Sequence, residues 1–131
     1  MKLLLDTHAV IWWTGNPVDR AKVSQVVEDL IHDASNDIWV SAGTAWEMAI
    51  KAQSGKLQIA AGLLDHYDAR VSALGWSSLP IQPQHGIAAA RLPGSHKDPF
   101  DRMLAAQALA DGLILATRDP VFAAYGVKTV W

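Results

Sequence analysis

Four acidic residues lie where predicted strands and helices of this sequence meet. Asp6 ends the short apolar run Leu3–Leu5, and Asp119 comes just after the fourth predicted strand. Glu47 lies in the first two turns of the helix predicted after the second strand, and Asp101 in the first turn of the helix before the fourth. Because ligand sites of open α/β sheets lie at the carboxyl ends of the strands, we expect these acids to converge on one cleft.

Carboxylates gathered in one cleft repel each other, and their pKa values rise unless a cation is present. Hard divalent cations take oxygen ligands, and Mg²⁺ often combines one or two carboxylates with waters and a substrate phosphate. The chain has no Cys, so a thiolate ligand or nucleophile is excluded. The pattern therefore predicts Mg²⁺ or Mn²⁺, with one ion or two ions ~3.5–4 Å apart, acting on a phosphate.

Each acid also has an ordinary structural explanation. Asp6 can cap the helix that follows it. Asp98 and Asp119 each precede a proline, as N-cap residues often do, and Asp101 can complete a capping box. Glu47 can be a solvated acid near the positive end of its helix. Taken singly, these explanations are at least as common as ligand roles, and it is the joint placement that favours a site.

Strand and helix patterns alternate along the chain. Strands are predicted at Leu3–Leu5, Asp37–Ser41, Trp76–Ile81, Leu113–Thr117 and Val127–Val130. Helices are predicted at Ala9–Trp13, Arg20–Asp33, Ser41–Gln53, Gly62–Leu74, His85–Leu92, Pro99–Asp111 and Pro120–Tyr125. This alternation predicts a parallel sheet with helices on both faces.

Apolar periodicity in two of these helices predicts which face turns inward. In the helix after the second strand the inward residues are expected to be Ala42, Ala45, Trp46, Ala49 and Ile50, with Glu47 at the border. In the helix Pro99–Asp111 they are expected to be Phe100, Met103, Leu104 and Ala108, with Asp101 at the border. An acid at such a border, near the sheet edge, is placed to face a cleft.

Composition favours a soluble protein with one core. The 131 residues are 50% apolar and 18% charged, which suits a single domain over residues 1–131. We find neither a signal peptide nor an apolar run of about 18 residues, and expect a cytoplasmic protein that meets no membrane. The net charge of −2 does not favour a general nucleic-acid binder, but it leaves room for a nuclease with local basic residues.

Four segments, in order, match a known family. They are Leu4–His8 (LLDTH), Ser41–Glu47 (SAGTAWE), His96–Arg102 (HKDPFDR) with Ala105–Ala108 (AAQA), and Ala116–Asp119 (ATRD). With these segments the chain resembles the PIN-domain ribonucleases, in particular the VapC-type toxins of bacterial toxin–antitoxin pairs. The resemblance runs from Met1 to Trp131, and the DPFDR segment makes it specific.

The resemblance implies a fold, an activity and partners. The fold is a three-layer α/β/α sandwich with a five-stranded parallel sheet, and the activity is Mg²⁺- or Mn²⁺-dependent endonucleolytic cleavage of RNA. The family's acidic quartet matches Asp6, Glu47, Asp101 and Asp119, with Asp6 and Asp101 as the surest metal ligands. The resemblance also implies that the protein is a homodimer and that a cognate antitoxin inhibits it.

Further positions near the acids have candidate roles. In the family's pattern Thr7 and Thr117 match small polar positions, and Asp98 matches a frequent additional acid. From the residues themselves, Arg102 and Arg118 are candidates for phosphate contact, with ion pairs to the neighbouring acids as the alternative. His8 and His96 are more often structural than catalytic, and Trp12 and Trp13 are expected in the core or an interface.

Three other functions compete with the nuclease. A haloacid-dehalogenase-like phosphatase needs a second Asp two residues after the first, where this chain has His8. A receiver-like regulatory module binds Mg²⁺ at the sheet edge but needs an Asp after strand three, and Leu79–Gln82 contains none. A catalytically silent PIN domain that serves as a binding module is the third alternative, against which the complete acidic set argues.

Overall fold

A five-stranded parallel sheet forms the centre of the molecule. The computed structural model describes all residues, 1–131. The strands are β1 (Lys2–Leu5), β2 (Asp37–Ser41), β3 (Ser77–Leu79), β4 (Ile114–Ala116) and β5 (Thr129–Val130). Their order is β3-β2-β1-β4-β5, so β1 is central. The predicted five-stranded parallel sheet is confirmed, although β3, β4 and β5 are shorter than the sequence pattern indicated.

Eight helices connect and cover these strands. They are α1 (Thr7–Thr14), α2 (Pro17–Arg20), α3 (Gln25–His32), α4 (Ala42–Gln53), α5 (Tyr67–Ala73), α6 (Pro83–Arg91), α7 (Pro99–Asp111) and α8 (Val121–Ala124). The helix predicted over Arg20–Asp33 is wrong at its start, because α3 begins after Ser24, whose hydroxyl accepts the Val27 N–H at 3.2 Å. None of the helices is long and apolar enough to cross a membrane.

Two hydrophobic clusters lie on opposite faces of the sheet and make the fold three-layered. Alternation along β1 sends Leu3 and Leu5 into one cluster and Leu4 into the other. The first cluster also takes the inward residues of α1, α3 and α5, including Trp12 and Trp13, as expected. The second is formed with α7 and α8, through Leu104, Ala105, Ala108 and Phe122.

The inward face predicted for α4 is wrong. Trp46 is 63% exposed and Ile50 44% exposed, whereas Gly43, Thr44, Glu47 and Met48 are buried. Small residues fit on the inward face because other segments pack against it: a Cβ on Gly43 would lie 3.5 Å from the Ile81 side chain and 3.7 Å from that of Met103. Glu47 is therefore a buried acid and not one at a border.

The inward face predicted for α7 is partly confirmed. Leu104 and Ala108 are buried, but Phe100 and Met103 are only half-buried. The Phe100 ring instead meets Trp46 edge-on, with 5.2 Å between the ring centroids. Asp101 is half-buried, as a residue at the border of this face should be.

Candidate active site

An open cleft of about 410 Å³ lies beside the carboxyl ends of β1 and β4. The structure brings the predicted acids together here: Asp6, Glu47, Asp98, Asp101 and Asp119 all line the cleft, with Thr7, His8, Trp12, Lys51 and Arg118 around them. Asp6 follows β1, Asp119 follows β4, and Glu47 and Asp101 come from α4 and α7. The parallel sheet thus gathers acids that are far apart in sequence at one edge.

Asp6 serves as the N-cap of α1 and is buried in the cleft wall. Its Oδ1 accepts the backbone N–H of Ala9 at 2.7 Å, and only 7% of the residue is exposed. Burial raises the pKa of the Asp6 carboxyl, and the charge of Asp101 raises it further. Hydrogen bonds from the Thr117 hydroxyl and the Ala9 N–H oppose this rise in pKa. Burial therefore disfavours the charged form of the Asp6 carboxyl, and a nearby cation would favour it.

Asp101 faces the same cleft from the first turn of α7. Its Oδ2 lies 2.8 Å from Nε2 of His96, in the loop before the helix. Burial raises the pKa of Asp101, and the charges of Asp98 and Glu47 add to the rise, while the His96 hydrogen bond opposes it. Asp98 caps α7 as expected, because its Oδ1 accepts the N–H groups of Phe100 and Asp101 at 2.9 and 3.0 Å.

Glu47 is buried between a hydroxyl and an ammonium group. Its Oε1 accepts a hydrogen bond of 2.6 Å from Thr7, and its Oε2 lies 2.5 Å from Nζ of Lys51. The hydrogen bond to Glu47 is the largest cause of the raised pKa of Lys51, and the charges of Glu47, Asp98 and Asp101 contribute to it. Lys51 was not among the predicted site residues, although its spacing of four from Glu47 on one helix was a readable signal.

Asp119 lies at the exposed rim of the cleft. Its Oδ1 accepts the backbone N–H of Val121 at 3.0 Å, and its own N–H donates to the Thr117 hydroxyl at 3.1 Å. Thr117 is buried, and its hydroxyl also lowers the pKa of Asp6, against the effect of burial. The small polar residue thus connects two of the predicted acids.

The two arginines have different positions. Arg118 lines the cleft with its guanidinium 4.4 Å from the centroid of the Trp12 ring, and it forms no ion pair. Arg102 is not brought to the cleft: its Nε donates to the Ala89 carbonyl and one Nη to the His96 carbonyl, each at 2.9 Å. It also donates to the Leu92 carbonyl, and so joins the end of α6 to the loop that leads into α7.

The donor chemistry of the cleft fits a hard cation. The acids offer only oxygen ligands, which suit Mg²⁺ or Mn²⁺, and Mg²⁺ often needs only one or two carboxylates besides water. In the arrangement described, no three Asp, Glu or His side chains are close enough to hold one ion together. Two of the acids are engaged by other side chains, Glu47 by Thr7 and Lys51 and Asp101 by His96.

Known proteins are similar to this chain in sequence and in fold. Over 118 residues, covering 89% of this chain and 86% of the relative, the chain is 29% identical to Ribonuclease VapC22 of Mycobacterium tuberculosis. VapBC2 from Rickettsia felis, solved bound to a DNA fragment from their promoter, superposes with a TM-score of 0.68 at 15% identity, covering 100% of this chain and 99% of that one. VapBC-1 from nontypeable Haemophilus influenzae gives a TM-score of 0.67 at 15% identity, covering 99% and 97%.

At such identities the structural similarity establishes the fold alone. The family model described as PIN domain matches residues 3–128, nearly the whole chain. The fold class predicted from the sequence is therefore confirmed, and the chain belongs to the PIN domain family.

Proposed function

We propose that residues 1–131 form a single PIN domain that cleaves RNA in a divalent-metal-dependent reaction, as the toxin of a toxin–antitoxin pair. The observation that carries this proposal is the convergence of Asp6, Glu47, Asp101 and Asp119 on one cleft. The name of the relative Ribonuclease VapC22 supports the reaction, and the solved VapBC structures support an antitoxin partner. A homodimer and an RNA substrate are part of the same proposal.

Asp6 and Asp101 would hold the ion, with Glu47 and Asp119 completing its surroundings directly or through water. When bound, the ion supplies a Lewis acid that neutralises phosphate charge and lowers the pKa of coordinated water. The chain fixes these ligands through their other contacts: Ala9 N–H holds Asp6 and His96 holds Asp101. Ligands held in this way need little reorganisation when substrate arrives.

Arg118 is the side chain best placed to bind a substrate phosphate. A planar guanidinium donates paired hydrogen bonds to phosphate oxygens. Its position over Trp12 keeps the donors at the cleft, and no carboxylate competes for them in an ion pair. The cleft has no Cys, and the Thr7 hydroxyl is committed to Glu47, so we assign the attacking oxygen to water and not to a protein group.

Cleavage of total cellular RNA by the purified chain tests this function. The wild type is compared with Asp6→Asn and Asp101→Asn, in Mn²⁺, in Mg²⁺ and in EDTA. We expect both substitutions to lower the cleavage rate by about 100-fold or more, beyond the roughly 10–100-fold that loss of a group supporting a metal ligand costs. Asp68→Asn, which changes an exposed acid in the first turn of α5, is the matched control and should cleave normally.

Circular dichroism of each variant shows that loss of cleavage is not loss of fold. Cleavage that persists in EDTA, or an Asp6→Asn protein as active as the wild type, would refute the assignment. If the wild type binds Mn²⁺ but cleaves no RNA, the catalytically silent alternative is favoured instead. Labelling of Asp6 by acetyl phosphate would favour the phosphatase or receiver alternatives.

A further inference from the structure

Lys51 is a lysine of the cleft in direct contact with one of its acids, Glu47. Its Nζ lies 2.5 Å from Oε2 of Glu47, and the fields of Asp98 and Asp101 also act on it. The Glu47 side chain is only 6% exposed, whereas that of Lys51 is 30% exposed. The ammonium group therefore reaches inward from the cleft mouth to a carboxylate that water hardly contacts.

This pair differs from an ordinary surface Glu–Lys pair on a helix. An exposed pair at this spacing contributes little, because water solvates both charges when the contact opens. A buried carboxylate that loses its partner is left uncompensated, and the fold is strongly destabilised. Glu47 therefore needs a cation beside it at all times, either Lys51 or another.

Both carboxylate oxygens of Glu47 already have partners in the structure. Thr7 engages one oxygen of Glu47 and Lys51 engages the other. A divalent cation near Glu47 would meet the positive charge of Lys51 at close range, and like charges at that distance repel strongly. Direct coordination of a metal by Glu47 is therefore in competition with its contact to Lys51.

We propose that Lys51 is a positioning residue that competes with the divalent cation for Glu47. In the metal-free protein its ammonium is the counter-ion of the buried carboxylate, and metal binding displaces it. The metal affinity of the cleft is then set by this competition and not by the carboxylates alone. The proposal rests on the proposed metal-dependent function and names a regulating residue of the same cleft.

Mn²⁺ binding to the full chain, measured by isothermal titration calorimetry, tests the competition. Lys51→Met should bind Mn²⁺ more tightly than the wild type, by roughly 5- to 150-fold, the usual range for ligands coupled through one protein. Lys56→Met removes an exposed lysine just beyond α4 and should leave the affinity unchanged. In thermal unfolding, Lys51→Met should be less stable than the wild type without metal and should gain more stability from Mn²⁺.

The same substitution in Glu47→Gln protein separates competition for Glu47 from the general effect of removing a positive charge near the cleft. In Glu47→Gln protein the contested carboxylate is absent, so adding Lys51→Met should no longer tighten Mn²⁺ binding. Equal tightening with and without Glu47 would overturn the proposal, as would equal affinities of the wild type and Lys51→Met. If the wild type and every variant fail to bind Mn²⁺, the proposed nuclease function itself fails, which is a different and recognisable result.

Discussion

Replacing Arg102 with methionine should lower the stability of the fold and leave the intrinsic affinity for RNA phosphate unchanged. The guanidinium donates to the carbonyls of Ala89 and His96 at 2.9 Å, to that of Leu92, and more weakly to that of Ala90 at 3.4 Å. It therefore ties the end of α6 to the loop that carries His96. Methionine keeps much of the aliphatic stem but none of these hydrogen bonds.

The expected loss follows from the number of well-formed bonds. A hydrogen bond to a charged group contributes about 1.5–3 kcal/mol net, and water can replace part of it at a half-exposed site. Two such bonds at the lower end give a loss of roughly 2–4 kcal/mol, out of about 5–15 kcal/mol for a typical domain. The free energy of unfolding of a small domain falls by about 2 kcal/mol for each 1 M of urea, so the urea concentration at the unfolding midpoint should fall by about 1–2 M.

Arg118→Met is the matched comparison, because it removes the arginine that lines the cleft. Its loss should change the free energy of unfolding by no more than about 1 kcal/mol, the usual contribution of an exposed cation–π contact. It should weaken RNA binding and reduce the salt dependence of binding by about one phosphate contact. RNA binding is measured with the cleavage-deficient Asp6→Asn protein at several salt concentrations.

Opposite results are thus expected for the two variants, and each expectation can be refuted separately. If Arg102→Met keeps the urea midpoint of the wild type but loses salt-dependent RNA affinity, Arg102 contacts phosphate in solution. The position that the structure gives to its guanidinium would then be wrong. If Arg118→Met leaves the salt dependence unchanged, the phosphate contact proposed for Arg118 is refuted.

Two further predictions concern the acids of the cleft. Asn caps a helix as well as Asp, so Asp6→Asn keeps the cap of α1. The pKa of Asp6 is higher in the folded protein than in the unfolded chain. The ionised carboxylate therefore destabilises the fold above the folded-state pKa, and this effect is absent below the unfolded-state pKa. In EDTA, Asp6→Asn should therefore be more stable than the wild type at pH 7, by about 0.5–2 kcal/mol in urea titrations. The gain in stability should vanish near pH 3. A variant that is as stable as the wild type at both pH values would contradict this prediction. Thr7→Val removes the donor to buried Glu47 and should lower stability by about 1–3 kcal/mol, and cleavage by roughly 10–100-fold. Thr14→Val, at the far end of α1, should cleave normally, and loss of cleavage there would implicate the helix and not the Glu47 contact.

Strand positions were predictable because the sheet is buried on both faces. The run Leu3–Leu5 has 0% exposure at each residue, and the segment Asp37–Ser41 coincides with β2 at both ends. Parallel strands of this kind appear in a sequence as short apolar runs, and helices that alternate with them indicate parallel crossovers. The acids at the strand ends were predictable for the same reason.

The face of α4 could not be predicted from hydrophobicity. A search for an apolar stripe selects Trp46 and Ile50, but the helix turns Gly43, Thr44 and Glu47 inward. Close helix contact favours small residues, and the cleft buries an acid that Thr7 and Lys51 satisfy. Sequence rules of burial fail where a functional cleft breaks them, and such failures are themselves a sign of a site.

Helix geometry explains why Arg102, although next to Asp101 in sequence, does not reach the cleft. Adjacent residues on a helix point about 100° apart, since 3.6 residues complete a turn. Asp101 faces the cleft, so its neighbour Arg102 is turned away from it, toward α6. Residues four apart share a face, which is why Lys51 reaches Glu47. Adjacency in sequence selected both Arg102 and Arg118, of which only Arg118 lines the cleft, whereas helical spacing would have selected Lys51.

Capping and a place in the cleft prove to be compatible roles for the same acids. Asp6 caps α1, Asp98 caps α7, and Asp119 accepts the N–H of Val121, yet all three line the cleft. A carboxylate has two oxygens and several lone pairs, so one backbone bond leaves acceptors free. The helix starts also present positive partial charge, which lowers the repulsion among the gathered acids.

The caps further fix the direction of each carboxylate. A side chain tied to the first turn of its helix by a backbone N–H, as Asp6 is to Ala9 at 2.7 Å, has little rotational freedom left to lose when a cation binds. The ordinary helix signals in this sequence thus give the acids an orientation that a metal site requires. For this reason the cap roles of Asp6 and Asp98 support a shared site at the sheet edge and do not compete with it.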